Sequence, residues 1–259
     1  MTVAQAVILG TIQGLAEFLP ISSSAHLVLA PRLFGWADQG LAYDVALHMG
    51  TLAALIACFW RDWWSLAKDG LRRADTESRR LFDAMVVGTL PAGVAGLILE
   101  HRIETVFRDP ARIAVALAAF GVLLWWADRT GRKERGVGSA SLKDVLLIGL
   151  AQTLALVPGV SRSGITMTAG LGLGFDRVSA ARLSFLLAMP ITAAAGLHKA
   201  KDALPLLGEP AFWAGIAASG LVGIAAIRGL LKLLGERGMG SFAVYRVGLA
   251  AVILLLLGR

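Results

Sequence analysis

Apolar residues gather in ten stretches, at about 4–19, 25–34, 45–60, 84–99, 111–127, 142–157, 164–175, 183–197, 211–227 and 242–257. Each predicts a helical segment. Those of 16 or 17 residues rise only about 25 Å at 1.5 Å per residue, so flanking residues must help them cross a ~30 Å hydrocarbon layer. Stretches 25–34 and 164–175 are too short to cross at all, and each follows a break with proline and serine, Pro20 to Ser24 and Pro158 to Ser163.

The approach to the first break is polar where polarity is expensive. Gln13, Glu17, Ser22, Ser23, Ser24 and His26 lie within or beside apolar runs, where an unpaired polar group costs roughly several kcal/mol. Gln13 and Glu17, four apart, share one helix face; Ser22 and His26 repeat that spacing, and Ser23 stands three before the histidine. Pro20 ends the first helix and the serines can cap the second. The second break reads Pro158-Gly159-Val160-Ser161-Arg162-Ser163-Gly164-Ile165-Thr166. A helix starting at Ser161 or Ser163 aims unpaired N–H groups and its positive dipole end into the break, which makes an anion site. Arg162 adds a planar fork suited to phosphate, and Thr166 sets a hydroxyl one turn on.

Composition agrees with the helices. Apolar residues make up 56% of the 259, charged residues 17%, and the mean hydropathy is +0.69, outside the soluble range. The chain reads as one all-α, polytopic integral membrane unit. The net charge of +7 sits mostly in short loops between apolar segments, which points to positive-inside topology and not to nucleic acid. Cys58 has no intramolecular partner and reads as a small packing residue. The first twenty residues lack a basic leader pattern and are expected to be mature structure.

The two breaks suggest an internal duplication, about 1–128 and 140–259. Gly10 and Gln13 match Gly149 and Gln152 at an offset of 139, and Pro20 and Ser23 match Pro158 and Ser161 at 138. Each half is then one broken pair followed by three spanning helices. Three crossings invert the second half, giving six spanning helices plus two re-entrant hairpins. With both hairpins re-entrant, sixteen Lys and Arg, including Arg73, lie on one side; the other has seven, Arg32, Arg102, Arg108, Arg112, Lys199, Lys201 and Arg259. If the second pair crosses, the division falls to fourteen against nine. The re-entrant arrangement fits better and puts loops 61–80 and 128–143 in the cytoplasm, with both termini outside.

In an inverted repeat the breaks meet near mid-membrane, so Glu17 and His26 are expected to face Arg162. Phosphate binders beside a carboxylate, an imidazole and a hydroxyl are the parts of phosphoryl transfer. A carboxylate beside a di-anion also invites a hard divalent cation, with Glu17 and Gln13 as its protein ligands.

The run Gln13-Gly14-x-x-Glu17-Phe18-Leu19-Pro20-Ile21-Ser22-Ser23-Ser24-Ala25-His26, with Pro158-Gly159-x-Ser161-Arg162-Ser163-Gly164-x-Thr166, strongly resembles the bacterial undecaprenyl-diphosphatase family of the bacitracin-resistance type. The resemblance extends over nearly the whole chain, through Trp60-Arg61, Phe185 to Pro190 and Tyr245-Arg246. It implies a hydrolase of the inner membrane, multi-pass, with an extracytoplasmic site. That hydrolase removes the terminal phosphate of undecaprenyl diphosphate within the bilayer, recycling the carrier lipid for peptidoglycan synthesis. It also implies a need for Mg2+ or Ca2+. By the same resemblance Glu17 is the essential glutamate, Ser23 the proposed nucleophile, His26 the catalytic histidine and Arg162 the diphosphate arginine, with Ser161, Ser163, Thr166 and Ser22 as phosphate contacts; the residues themselves leave the attack on phosphorus open among Ser23, His26 and water. Some members carry glutamate at the position of Gln13, whose amide can ligate a cation but adds no charge.

Other residues read more plainly. His48 and Asp44 begin a membrane segment and line a cavity rim at most. Arg246 snorkels to the cytoplasmic edge, and Trp63 and Trp64 form an interfacial belt. Secondary transporters share the broken-helix layout, so a flippase of the polyprenyl phosphate is the alternative. The other large lipid-phosphatase superfamily requires His and Asp where this chain has Thr168 and Gly172, and is rejected. The oligomeric state stays open between monomer and homodimer.

Overall fold

The computed structural model describes residues 1–72, 76–105 and 109–257, the backbone alone at 100–105 and 257. Arg73, Arg108 and Arg259 of the loop-charge division lie outside these, as does the side chain of Arg102.

All ten predicted segments are helices: α1 (Val3–Ala16), α2 (Ser23–Phe34), α3 (Gly40–Leu71), α4 (Glu77–Thr105), α5 (Pro110–Thr130), α6 (Leu142–Gln152), α7 (Arg162–Gly172), α8 (Arg177–His198), then, after the four-residue α9 (Ala200–Ala203), α10 (Pro210–Glu236) and α11 (Gly240–Leu257). Among the described residues five are long and apolar enough to cross a membrane, namely α3, α4 over Glu77–Leu99, α5, α8 and α10. Several outrun their apolar stretches because charged residues at the ends remain helical; α3 reaches 32 residues. By contrast α1, α2, α6 and α7 have 14, 12, 11 and 11 residues; at 1.5 Å per residue none exceeds ~21 Å.

Large apolar side chains cover the outside, among them Ile98, Leu221, Val244 and Leu255. This is the surface of a protein solvated by lipid. Inside, α1 packs on α10, α10 on α3, α5 on α11 and α4 on α6. Backbone meets backbone where Gly10 of α1 meets the Gly215 carbonyl of α10 and where Gly149 of α6 meets that of Gly88 on α4. A methyl group would not fit at either, the small-residue packing expected between membrane helices. Of the expected tryptophan belt only Trp64 is exposed; Trp63 turns inward, edge-on to Phe82.

The breaks are held from several sides. A proline at 20 cannot donate to the carbonyl of Ala16, and α1 ends at Ala16 with Glu17 as its cap. Phe18, fully buried, packs edge-to-face on Phe185 of α8 at 5.4 Å and so fixes the chain just beyond the cap. The residues that start the second helices, Ser22 and Ser161, have φ of 74° and 73°, a left-handed backbone uncommon outside glycine and one that persists only where surroundings impose it.

Candidate active site

Several bonds join the breaks. The Ser22 Oγ accepts from the Gly159 N–H at 3.1 Å, and the Ser163 hydroxyl donates to the Leu19 carbonyl at 3.0 Å. Ser22 therefore does not cap its own helix, as expected of these serines, whereas Ser161 does, accepting from the Gly164 N–H. The largest correction concerns Arg246. It does not reach the membrane edge: its side chain is fully buried and donates to the carbonyls of Pro20, Gly159, Val160 and Leu117. A guanidinium surrounded by helix-break carbonyls finds its hydrogen bonds closer than the membrane surface.

At the centre lies Glu17, 6% exposed. Its Oε1 accepts from Arg162 Nε at 3.3 Å and Nη2 at 2.9 Å. Its Oε2 accepts from the Ser23 hydroxyl at 2.5 Å and from Gln13 Nε2 at 3.1 Å, and lies 3.3 Å from His48 Nε2. The pairing of Glu17 with Arg162 across the breaks is thus as expected, and Ser23 and Gln13 join them. Arg162 Nη1 also donates to the Ser184 carbonyl at 3.2 Å. A guanidinium carries five N–H groups, so these bonds leave one on each Nη unused while the fork stays pinned to Glu17.

His26 is placed differently. Its Nδ1 bonds the Ser22 carbonyl at 2.7 Å, its Nε2 the Tyr245 hydroxyl at 2.7 Å, and the two rings stack 7° from parallel. The histidine faces α11, not Arg162, because the carbonyl one turn back and the stacked ring fix its plane. The buried Thr166 hydroxyl lies 2.7 Å from both the Arg162 carbonyl and the Ser184 Oγ, and Ser161 Oγ sits 3.3 Å from Ser163 Oγ. These hydroxyls, like Ser22, are engaged with protein, and each would reach a phosphate only by exchanging a bond.

The residue passed over in the sequence is His48, which reaches Glu17 from α3. The signal was present as a histidine four after Asp44 inside an apolar run, but the same pattern describes a helix-packing histidine.

The donor set accommodates a divalent cation in one way. Gln13 Oε1 is buried without a hydrogen-bond partner beside the Glu17 carboxylate. Among the described residues no cluster of three or more His, Cys, Asp and Glu could hold a metal by itself. Both Glu17 oxygens already accept hydrogen bonds, so such a cation would displace one of those donors and take further ligands from substrate oxygens, as Mg2+ is commonly bound by one or two carboxylates plus phosphate.

A multi-pass, helical membrane protein that buries an arginine–carboxylate pair and a hydroxyl between two helix breaks has the groups for chemistry on an anion. The family described as bacitracin resistance protein BacA matches residues 6–252, and the chain belongs to it. It is 52% identical over 256 residues to the undecaprenyl-diphosphatase of Pelotomaculum thermopropionicum, covering 98% of this chain and 97% of that one. It is 50% identical to that of Moorella thermoacetica, with 98% and 97% covered, and 48% identical to that of Gemmatimonas aurantiaca over the same shares.

Proposed function

We infer that this protein is an undecaprenyl-diphosphatase, a membrane hydrolase that converts undecaprenyl diphosphate to undecaprenyl phosphate and phosphate. The observation that carries the reading is the Ser23–Glu17–Arg162 chain: a hydroxyl hydrogen-bonded to a carboxylate, itself pinned to an arginine with N–H groups to spare. A site that only carried an anion across the membrane would have no use for a serine hydroxyl donated to a carboxylate, which favours hydrolysis over the flippase.

In the proposed reaction Arg162 binds the terminal phosphate. Ser23 Oγ attacks phosphorus as its proton passes to Glu17 Oε2, and the bond to the bridging oxygen breaks. Water then hydrolyses the phosphoserine. His26, through Nε2, takes the proton of that water once the Tyr245 hydroxyl yields, and Glu17 returns its proton to Ser23 Oγ as phosphate is released. Ser161, Ser163, Thr166 and Ser22 contact the phosphates as they exchange bonds. Mg2+ or Ca2+, held by Glu17 and Gln13 together with the diphosphate, would neutralise charge there.

The fold we propose is one membrane unit of two inverted repeats, about 1–128 and 140–259, with α11 as the sixth crossing and both broken pairs re-entrant in the bacterial inner membrane. Several equivalences support it at an offset of 139. Capping boxes Thr2/Gln5 and Ser141/Asp144 start α1 and α6, the packing glycines are Gly10 and Gly149, and the left-handed serines are Ser22 and Ser161. That last equivalence pairs Ser161 with Ser22 and not, as at offset 138, with Ser23. The excess of basic residues in loops 61–80 and 128–143 supports an extracytoplasmic site.

Phosphate release from undecaprenyl diphosphate by purified protein in detergent tests the reading, with Mg2+ or Ca2+ and then with a chelator. Release that the chelator abolishes is expected; binding of the lipid without release would leave the flippase. Ser23→Ala should slow release by ~10²-fold or more if Ser23 attacks phosphorus, while a wild-type rate would transfer the attack to water.

A further inference from the structure

The proposed reaction leaves one side chain at the Glu17 carboxylate without a task. We propose that His48 is a positioning residue, holding Glu17 Oε2 on the bearing from which that oxygen takes the Ser23 proton. The role rests on the phosphatase reading above.

The first argument is triangulation. Glu17 caps a helix that ends in irregular chain, so its carboxylate needs fixing from outside. Gln13 holds it from within α1 and Arg162 from the second break, and His48 comes from the third direction, α3. That helix packs on α8 and α10 and is long and apolar enough to cross a membrane.

The second argument is that His48 is itself locked. Its Nδ1 is 2.7 Å from the Asp44 carbonyl, which only accepts, so Nδ1 bears a hydrogen, and Nε2, 3.3 Å from Glu17 Oε2, donates to that carboxylate as the second N–H of an imidazolium. Its own carbonyl accepts from the Thr51 hydroxyl at 2.9 Å, and the carbonyl of the preceding Leu47 accepts from the buried Ser219 hydroxyl of α10 at 2.8 Å. Ring, backbone and neighbouring helix are therefore tied together. Such outer partners set the orientation of the group that does the chemistry.

The third argument is what the carboxylate would do without it. Arg162 now bonds only Oε1, through two nitrogens. Arginine and carboxylate prefer the fork-to-fork arrangement, with one N–H on each oxygen. Released from His48, Glu17 can rotate so that Oε2 also turns to the guanidinium. That rotation withdraws the base from Ser23 and takes up an N–H otherwise left for phosphate.

The test compares His48→Leu with His48→Gln, whose amide donates at nearly the reach of Nε2, in steady-state phosphate release from undecaprenyl diphosphate. For His48→Leu we expect kcat to fall ~10- to 100-fold, with KM and the detergent unfolding midpoint close to wild type. His48→Gln should recover most of the rate, to within about fivefold of wild type. A merely structural histidine would lower the midpoint and would not be rescued by an amide. Wild-type turnover in His48→Leu, or a loss in His48→Gln as deep as in His48→Leu, overturns the positioning role. If His48→Leu does not fold, His48→Ala read against His48→Gln makes the same comparison. A wild-type protein that releases no phosphate overturns the functional reading itself, and this role with it.

Discussion

Arg162→Ala is expected to reduce phosphate release by ~10³-fold or more, the range seen when an arginine that neutralises a transferring phosphoryl group is removed. Two losses combine in that number. The phosphate loses the N–H groups that Arg162 still has free, and Glu17, only 6% exposed, is left as a charge whose pairing across the breaks is gone. Arg162→Lys should recover little, because an ammonium cannot bond Glu17, the Ser184 carbonyl and a phosphate from one plane. The check is kcat and KM for both variants with undecaprenyl diphosphate. A lysine variant near the wild-type rate would mean that charge alone suffices and that fork geometry is irrelevant.

Arg246→Met should unfold the protein earlier and abolish release, although Arg246 touches no reacting group. Its guanidinium supplies hydrogen bonds to the carbonyls of Pro20, Gly159, Val160 and Leu117, two backbone segments from the breaks and one from α5. Each buried carbonyl left unpaired costs ~1–3 kcal/mol, so a loss of at least ~3 kcal/mol is expected even after partial relaxation. Gly164 belongs to the same arrangement: a Cβ there would come within 2.7 Å of Arg246 Nη1, so the glycine inside the serine–arginine motif makes room for a second arginine. Thermal unfolding in detergent, alongside phosphate release, checks this. An unchanged midpoint would mean that water replaces the guanidinium.

Much of this could be read in the chain. Apolar stretches identified ten helices because a lipid-facing helix must be apolar over its length, and that requirement is written locally. The breaks were legible for the same reason: proline removes a donor and serines supply caps, both within a few residues. The expectation that Glu17 faces Arg162 came from the polar content of the two breaks laid against each other, and the two side chains do pair.

Three placements depended on contacts the sequence does not contain. His26 looked like the partner of Arg162, but stacking on Tyr245, 219 positions away, turns it to α11. His48 looked like a rim residue because spacing along α3 tells which residues share its face and not which helix end that face meets. Arg246 looked free to snorkel, since a lone arginine in an apolar run can go to the membrane surface or to buried carbonyls. The sequence by itself determined the helices, the breaks and the charge each break carries, all local consequences of transfer energy and backbone chemistry. Only the tertiary structure decided which of the long polar side chains reaches which break, because that choice rests on distances between helices far apart in the chain.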